Sequence, residues 1–258
     1  MVAAVAFGLL IGLLLGLLGG GGSILAVPAL VYGVGQPLHQ AIPTSLLVVG
    51  TSALAGAIPR IRTRQVQWRL TAIFGVIGAG AAVAGTVVNN LLPARMVLIG
   101  FAVLMIGAGI RMLRDTASAG TACAVTGGTI NWRRCLPRSV GAGIAVGFLT
   151  GLFGVGGGFL IIPALVLLLG LDMTIAVGTS LVIVVLNSAS GLAAHLGHAH
   201  IDLGIAVAFT TAAAAGALAA SRVGASLPTV RLQRWFAYLV FAVAIFVIAQ
   251  ALLNPSAA

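Results

Sequence analysis

The chain of 258 residues has no lysine, no glutamate, three aspartates (Asp115, Asp172 and Asp202) and two cysteines. With 6% charged and 60% hydrophobic residues, it has too little polar surface to coat a soluble globule, so it is read as an integral membrane protein. Each aspartate lies in or beside an expected loop. A proton or sodium pathway therefore lacks the carboxylate it commonly uses deep in the membrane. Cys123 and Cys135 have a spacing that matches neither a zinc pair nor a CxxC redox site, so they are expected to be ordinary loop thiols. No nucleophile with a base, no metal constellation and no intramembrane carboxylate pair is found, and no enzyme is expected.

What is present is apolar sequence punctuated by arginine. Apolar segments run at about 2–32, 40–59, 70–90, 95–113, 139–169, 174–194, 203–221 and 235–253. Most are near the roughly 20 residues a spanning helix needs. They do not alternate apolar with polar residues, which excludes a membrane barrel. The expected class is an all-α, polytopic membrane protein whose partner is the lipid bilayer.

All 13 positive charges are arginine, lying between or at the ends of the apolar runs. The net charge of +10 does not call for nucleic acid, because short arginine-rich loops are what the positive-inside bias produces. The N-terminal run lacks the positive region of a cleaved signal peptide and aligns with an internal segment, so it is expected to be structure.

That alignment is a duplication. Gly16-Leu17-Leu18-Gly19-Gly20-Gly21-Gly22-Ser23 through Pro28 returns 135 residues later as Gly151-Leu152-Phe153-Gly154-Val155-Gly156-Gly157-Gly158 through Pro163. The same offset joins Gly35 to Gly170, Thr44-Ser45-Leu46 to Thr179-Ser180-Leu181, and Leu92-Pro93 to Leu227-Pro228. We read residues 1–114 and 139–258 as two homologous four-segment repeats joined by a flexible cytoplasmic linker, 115–138. Such duplication is a recurrent way of building transporters, with the substrate between the copies.

Two topologies fit. With eight full crossings the repeats are parallel and nine arginines fall inside. In the preferred version the first segment of each repeat is broken at its glycines into two half-helices that dip in and return. Each copy then crosses three times, the repeats are inverted, both termini lie outside, and every arginine except Arg95 is cytoplasmic.

Irregular backbone survives at membrane depth only where protein buries it or it lines a polar cavity, so the glycine runs imply a site. A half-helix starting near Ser23, and another near Gly158, would present free N–H groups and a positive dipole end to an oxyanion. Gly21, Gly22 and Ser23 in one copy, with Gly156, Gly157 and Gly158 in the other, are candidate binding residues. Gly8, Gly12, Gly143 and Gly147 are read instead as close-packing glycines. Thr44-Ser45 and Thr179-Ser180 open the second segment of each copy, where their hydroxyls serve as anion donors or helix caps. Asn187, matched to Ser52 and flanked by Ser188 and Ser190, is a candidate for lining the pathway. His195, His198 and His200 with Asp202 read first as a polar loop, next as a proton relay and last as a metal site, since the other ligands of a metal site are missing.

These residues resemble the sulfite exporter TauE/SafE family, also called the toluene sulfonate uptake permeases, over nearly the whole chain. Its glycine motif falls on Gly19, Gly21 and Gly22 and on Gly154, Gly156, Gly157 and Gly158, and its Thr-Ser on Thr44-Ser45 and Thr179-Ser180. Copy one departs at Ser23, where copy two has Gly158. The resemblance implies an inner-membrane permease for sulfur-containing anions such as sulfite or organosulfonates, in either direction and without a cofactor. A permease for another small anion, or a non-transporting scaffold or accessory subunit, is the alternative. Matched polar groups in the two halves speak against the scaffold. The sequence leaves the oligomeric state open.

Overall fold

The computed structural model describes residues 2–89, 91–114, 132–153, 158–195, 203–224 and 227–253. Every element among them is helical. In the first copy they are α1 (Val2–Leu18), a four-glycine 3₁₀ turn (Gly19–Gly22), α2 (Ser23–Pro28), a π-helical turn (Ala29–Gly33), α3 (Leu38–Arg62), α4 (Trp68–Asn89) and α5 (Ala94–Arg114). The second copy has α6 (Trp132–Phe153), α7 (Gly158–Pro163), a π-helical turn (Ala164–Leu168), α8 (Met173–His195), α9 (Leu203–Gly224) and α10 (Thr229–Leu253). Adding 135 to the starts of α2, α3, α4 and α5 gives 158, 173, 203 and 229, the starts of α7, α8, α9 and α10. Among the described residues, seven helices are long and apolar enough to cross a membrane.

The apolar run 2–32 divides unequally. Gly19 adopts φ +68°, a left-handed conformation that glycine takes without a Cβ penalty, and this ends α1. The chain then turns back: a Cβ on Gly22 would stand 2.8 Å from the Leu15 amide nitrogen and from the Ile11 carbonyl oxygen, and one on Gly33 would meet the Phe7 ring. Instead of two half-helices, the 17-residue α1 is followed by a shorter return limb, in which the six-residue α2 gives way at Ala29 to a π-helical turn. Each return limb carries a proline, Pro28 or Pro163, then a π turn, and ends at a matched left-handed glycine, Gly35 (φ +80°) or Gly170 (φ +73°).

The described chain divides into two compact units, Met1–Thr71 with Thr174–Leu227, and Ala72–Met173 with Pro228–Ala258. Each unit draws helices from both copies. In the first, α1 runs parallel to α9: Gly8 lies against Phe209, Gly12 against Ala213 and Gly16 against Ala217, with the helix backbones in contact. In the second, the matched contacts recur, with Gly143 against Phe74, Gly147 against Gly78 and Gly151 against Ala82. These glycines pack helices closely, as expected for Gly8, Gly12, Gly143 and Gly147. The second unit is also held by aromatic contacts of Phe101 with Phe153 at the end of α6 (5.2 Å) and Phe159 in α7 (5.4 Å). Cys135 in α6 is buried and disulfide-bonded, which corrects the expectation of an ordinary thiol there. Cys123 lies outside the described residues.

Candidate functional site

Buried polar side chains are concentrated in the first unit. Gln36, Thr44, Ser45, Ser52, Arg60, Thr71, Thr179, Ser180, Ser188 and Ser221 are buried there, against Ser139 and Gln233 in the second. Among the described residues, the buried side-chain atoms without a hydrogen-bond partner also all belong to the first unit: both amide atoms of Gln36, the hydroxyls of Ser52 and Thr210, and Nε of Arg60. Each such atom carries a desolvation penalty that a bound polar partner would relieve.

The stripe is organised by α3 and α8, which hold the same place in the two copies. Leu46 faces Gly191, Gly50 faces Ser188, Gly56 faces Leu181, and Arg60 reaches Thr174, so the two helices run antiparallel. On α3 the residues Ser45, Val49, Ser52, Gly56 and Arg60 share one buried face at helical spacing. Helix α9 runs alongside, and the Ser221 hydroxyl donates to the Gly56 carbonyl.

The Thr-Ser pairs lie in the second turns of α3 and α8, not at their starts, so they cap neither helix. Thr44 donates to the Gln40 carbonyl (2.7 Å), Ser45 to Ile42 (2.7 Å) and Ser180 to Val177 (2.9 Å). Thr179 accepts from the Gln67 amide (3.1 Å). The hydroxyl protons of Thr44, Ser45 and Ser180 are engaged at home, leaving oxygen lone pairs or a rotated hydroxyl for anything that passes, whereas the Thr179 oxygen is the acceptor in its bond. The two pairs do not converge. Leu181 is level with Gly56, so Ser180 is level with about Ala57 and the pairs are roughly 18 Å apart at 1.5 Å per residue. Between them, at the centre of the helix pair, lie Ser52, half-buried Asn187 and buried Ser188.

At the glycine break, Gly21 and Gly22 are buried and Ser23 is half-buried. The Ser23 hydroxyl donates to Gly20 (2.6 Å), as does its backbone N–H. The 3₁₀ turn leads into α2 with helical dihedrals at Gly22, so the first amide of α2 is not free, contrary to expectation. Gly22 turns its Cβ position onto α1, which makes it a packing glycine on that side. Gly158 is buried and opens α7. Gly156, Gly157, His198, His200 and Asp202 lie outside the described residues, and His195 is described only as the last residue of α8.

Arg60 is the residue that the sequence reading passed over by grouping it with the loop arginines. Its side chain has no exposed surface. Nη1 donates to the Gln65 side-chain oxygen (3.3 Å) and the Thr174 carbonyl (3.3 Å), and Nη2 donates to the Gly16 carbonyl (3.4 Å). Among the described residues no carboxylate pairs with it. The signal in the sequence was its spacing from Ser52 and Gly56, which puts it on their face, whereas Arg62 and Arg64 fall outside that face and are exposed.

The chain matches the sulfite exporter TauE/SafE family over residues 4–247. It is 38% identical over 257 residues to a probable membrane transporter protein of Xylella fastidiosa (strain Temecula1), covering 96% of this chain and 95% of that one. It is 31% identical over 219 residues to the probable membrane transporter protein YunE of Bacillus subtilis (strain 168), covering 78% and 80%. A probable membrane transporter protein of Methanocaldococcus jannaschii is 27% identical over 199 residues, covering 73% and 70%. No solved structure matches the chain. With a match along nearly its whole length and spanning helices to accord with it, this multi-pass membrane protein belongs to the sulfite exporter TauE/SafE family of transporters.

Proposed function

We propose that the protein is a permease for sulfur-containing anions such as sulfite or an organosulfonate, which move along the polar stripe of α3 and α8. The observation that carries this reading is the concentration, among the described residues, of buried hydroxyl, amide and guanidinium groups in one unit, two of them on the central helix α3, Ser52 with no partner and Arg60 with only part of its guanidinium engaged. Such groups suit an oxyanion, which accepts hydrogen bonds and carries negative charge. Thr44-Ser45 and Thr179-Ser180 stand as successive contacts, with Asn187 and Ser52 between them.

The antiparallel pairing of the equivalent helices α3 and α8 supports an inverted repeat. So does the pair α5 and α10, where Gly109 meets Phe241 and the Gln233 amide donates to Met112 (2.7 Å). Alternating access then follows from movement of matched elements about a common centre. We retain His195, His198 and His200 as a proton relay, because imidazole titrates near neutrality and the spans offer no carboxylate.

The test is flux of sulfite and sulfonates into proteoliposomes, with phosphate, chloride and acetate as controls, with and without a proton gradient. Wild type is expected to move sulfur anions in preference to the controls, and the Ser45→Ala/Thr179→Val double variant to move them at least about fivefold more slowly while keeping its melting temperature. Undiminished flux in the double variant removes both residues from the path. Indifference to the proton gradient removes the histidines.

A further inference from the structure

We infer that Arg60 is the anion-recognising group of this permease, taking oxyanion oxygens on the part of its guanidinium that the protein leaves unpaired. The inference rests on the permease reading above and names the residue that reads the charge.

A guanidinium has five N–H donors, and among the described residues this one makes three bonds, of 3.3 to 3.4 Å. Their acceptors are two backbone carbonyls and one amide oxygen, so among the described residues the positive charge is met by dipoles alone. Nε has no partner, and Nη2 has only the long bond to Gly16. Charge-assisted bonds to a true anion run at about 2.7 to 2.9 Å, and an oxyanion fits the fork of a guanidinium with two oxygens at once. A cation held without exposed surface and without a counter-charge is costly unless something of opposite sign shares the site.

The surroundings include backbone carbonyls and two glycines. Arg60 lies where the C-terminal ends of α1, α3 and α9 meet the first turn of α8. It reaches the carbonyls of Gly16 and Thr174, and Gly178 and Gly224 lie alongside. A Cβ on Gly224 would stand 2.9 Å from Nη2, and one on Gly178 would stand 3.4 Å from the Arg60 Cβ. The C-terminal ends of three helices contribute partial negative charge, enough to hold the cation in the empty protein yet weaker than a whole anion. The held cation is thus pre-positioned at one end of the polar stripe, on the same helix face as Ser52 and Ser45. The repeat adds a contrast: position 60 plus 135 is His195, so the second copy has a titratable residue where the first has a permanent cation.

The experiment compares wild type with Arg60→Lys and Arg60→Gln in two measurements: the concentration dependence of sulfite flux in proteoliposomes, and the rise in melting temperature on adding sulfite, ethanesulfonate, phosphate, chloride or acetate to protein in detergent. Lysine keeps the charge but loses the fork. It is expected to raise the KM for sulfite at least about tenfold with the maximal rate less affected, and glutamine to abolish saturable flux. Both should lose most of the sulfite-induced thermal shift while melting near wild type without ligand. Wild-type KM and thermal shift in both variants would overturn the inference and leave the permease reading standing. Loss of folded protein in both also overturns it, since Arg60 would then be a clasp for the helix ends. If a non-sulfur anion alone stabilises wild type, and does so through Arg60, the sulfur reading fails and the inference holds. If no anion stabilises or crosses, both fail.

Discussion

At the scale of single residues, glycine does two kinds of work in this protein, and the surroundings of each Cβ position separate them. Gly12 and Gly147 lie where a Cβ would overlap the carbonyls of Ala213 and Gly78, so the neighbouring helix backbone, which cannot swing aside, fixes the residue. Gly80, inside α4, has nothing near its Cβ position. Gly12→Ala and Gly147→Ala are each expected to destabilise the protein by about 2 kcal/mol or more through overpacking. Gly80→Ala should be neutral or stabilising by up to about 1 kcal/mol through helix propensity. Melting in detergent of the three variants beside wild type checks this, and an equal response at all three would show that backbone contact is not what selects glycine. Gly12 and Gly147 were legible in the sequence because they recur at helical spacing in both copies. Gly22 was not: as part of a run it reads as a lining residue, and only the folding back of the chain onto Leu15 shows that α1 fills the space. Arg60 was missed for a related reason. Arginines beside apolar runs normally mark loops, and the burial of this one depends on α1 and α9 ending at the same level as α3, which no single segment displays.

At the scale of elements, the pairing of α3 with α8 decides how the candidate groups are distributed. Thr44-Ser45 and Thr179-Ser180 hold matching places in α3 and α8, and matched residues about an internal symmetry axis often meet. They meet only if they lie near the axis. Here the antiparallel register places the centre near Ser52 and Asn187 and puts the hydroxyl pairs toward opposite ends. This register is open to a direct check. A Cβ at position 50 would stand 3.0 Å from the Ser188 Cβ, and a disulfide needs about 3.5 to 4.5 Å, a difference that small helix shifts supply. In a background with Cys123 and Cys135 replaced, the Gly50→Cys/Ser188→Cys variant is expected to cross-link within one chain under mild oxidation, and a Gly50→Cys/Leu181→Cys control to remain reduced. Cross-linking of the control in place of the first pair would mean that α3 and α8 slide or run in another register. If the transport cycle moves these helices against each other at their centre, the cross-linked protein should also lose flux and regain it on reduction.

At the scale of the whole molecule, the two repeats of the sequence are not the two compact units of the fold. The glycine face of α1 is covered by α9, from the other copy, and that of α6 by α4. Each copy inserted alone would leave these small-residue faces against lipid, where acyl chains cannot follow the backbone grooves that a second helix fills. Spanning segments insert into a bilayer one by one before they pack, so separation should affect packing and not insertion. Fragments 1–114 and 132–258, expressed separately, are therefore expected to enter the membrane but to melt without a cooperative transition and to be degraded quickly. Co-expressed, they should copurify through a tag on either fragment and recover a cooperative melt, since each compact unit can then be completed from both chains. A cooperative transition in either fragment alone would show that a copy can satisfy its own helix faces. Introducing Gly12→Ala into the first fragment should weaken copurification, because the contact it blocks, between α1 and α9, is one that only the two fragments together can make.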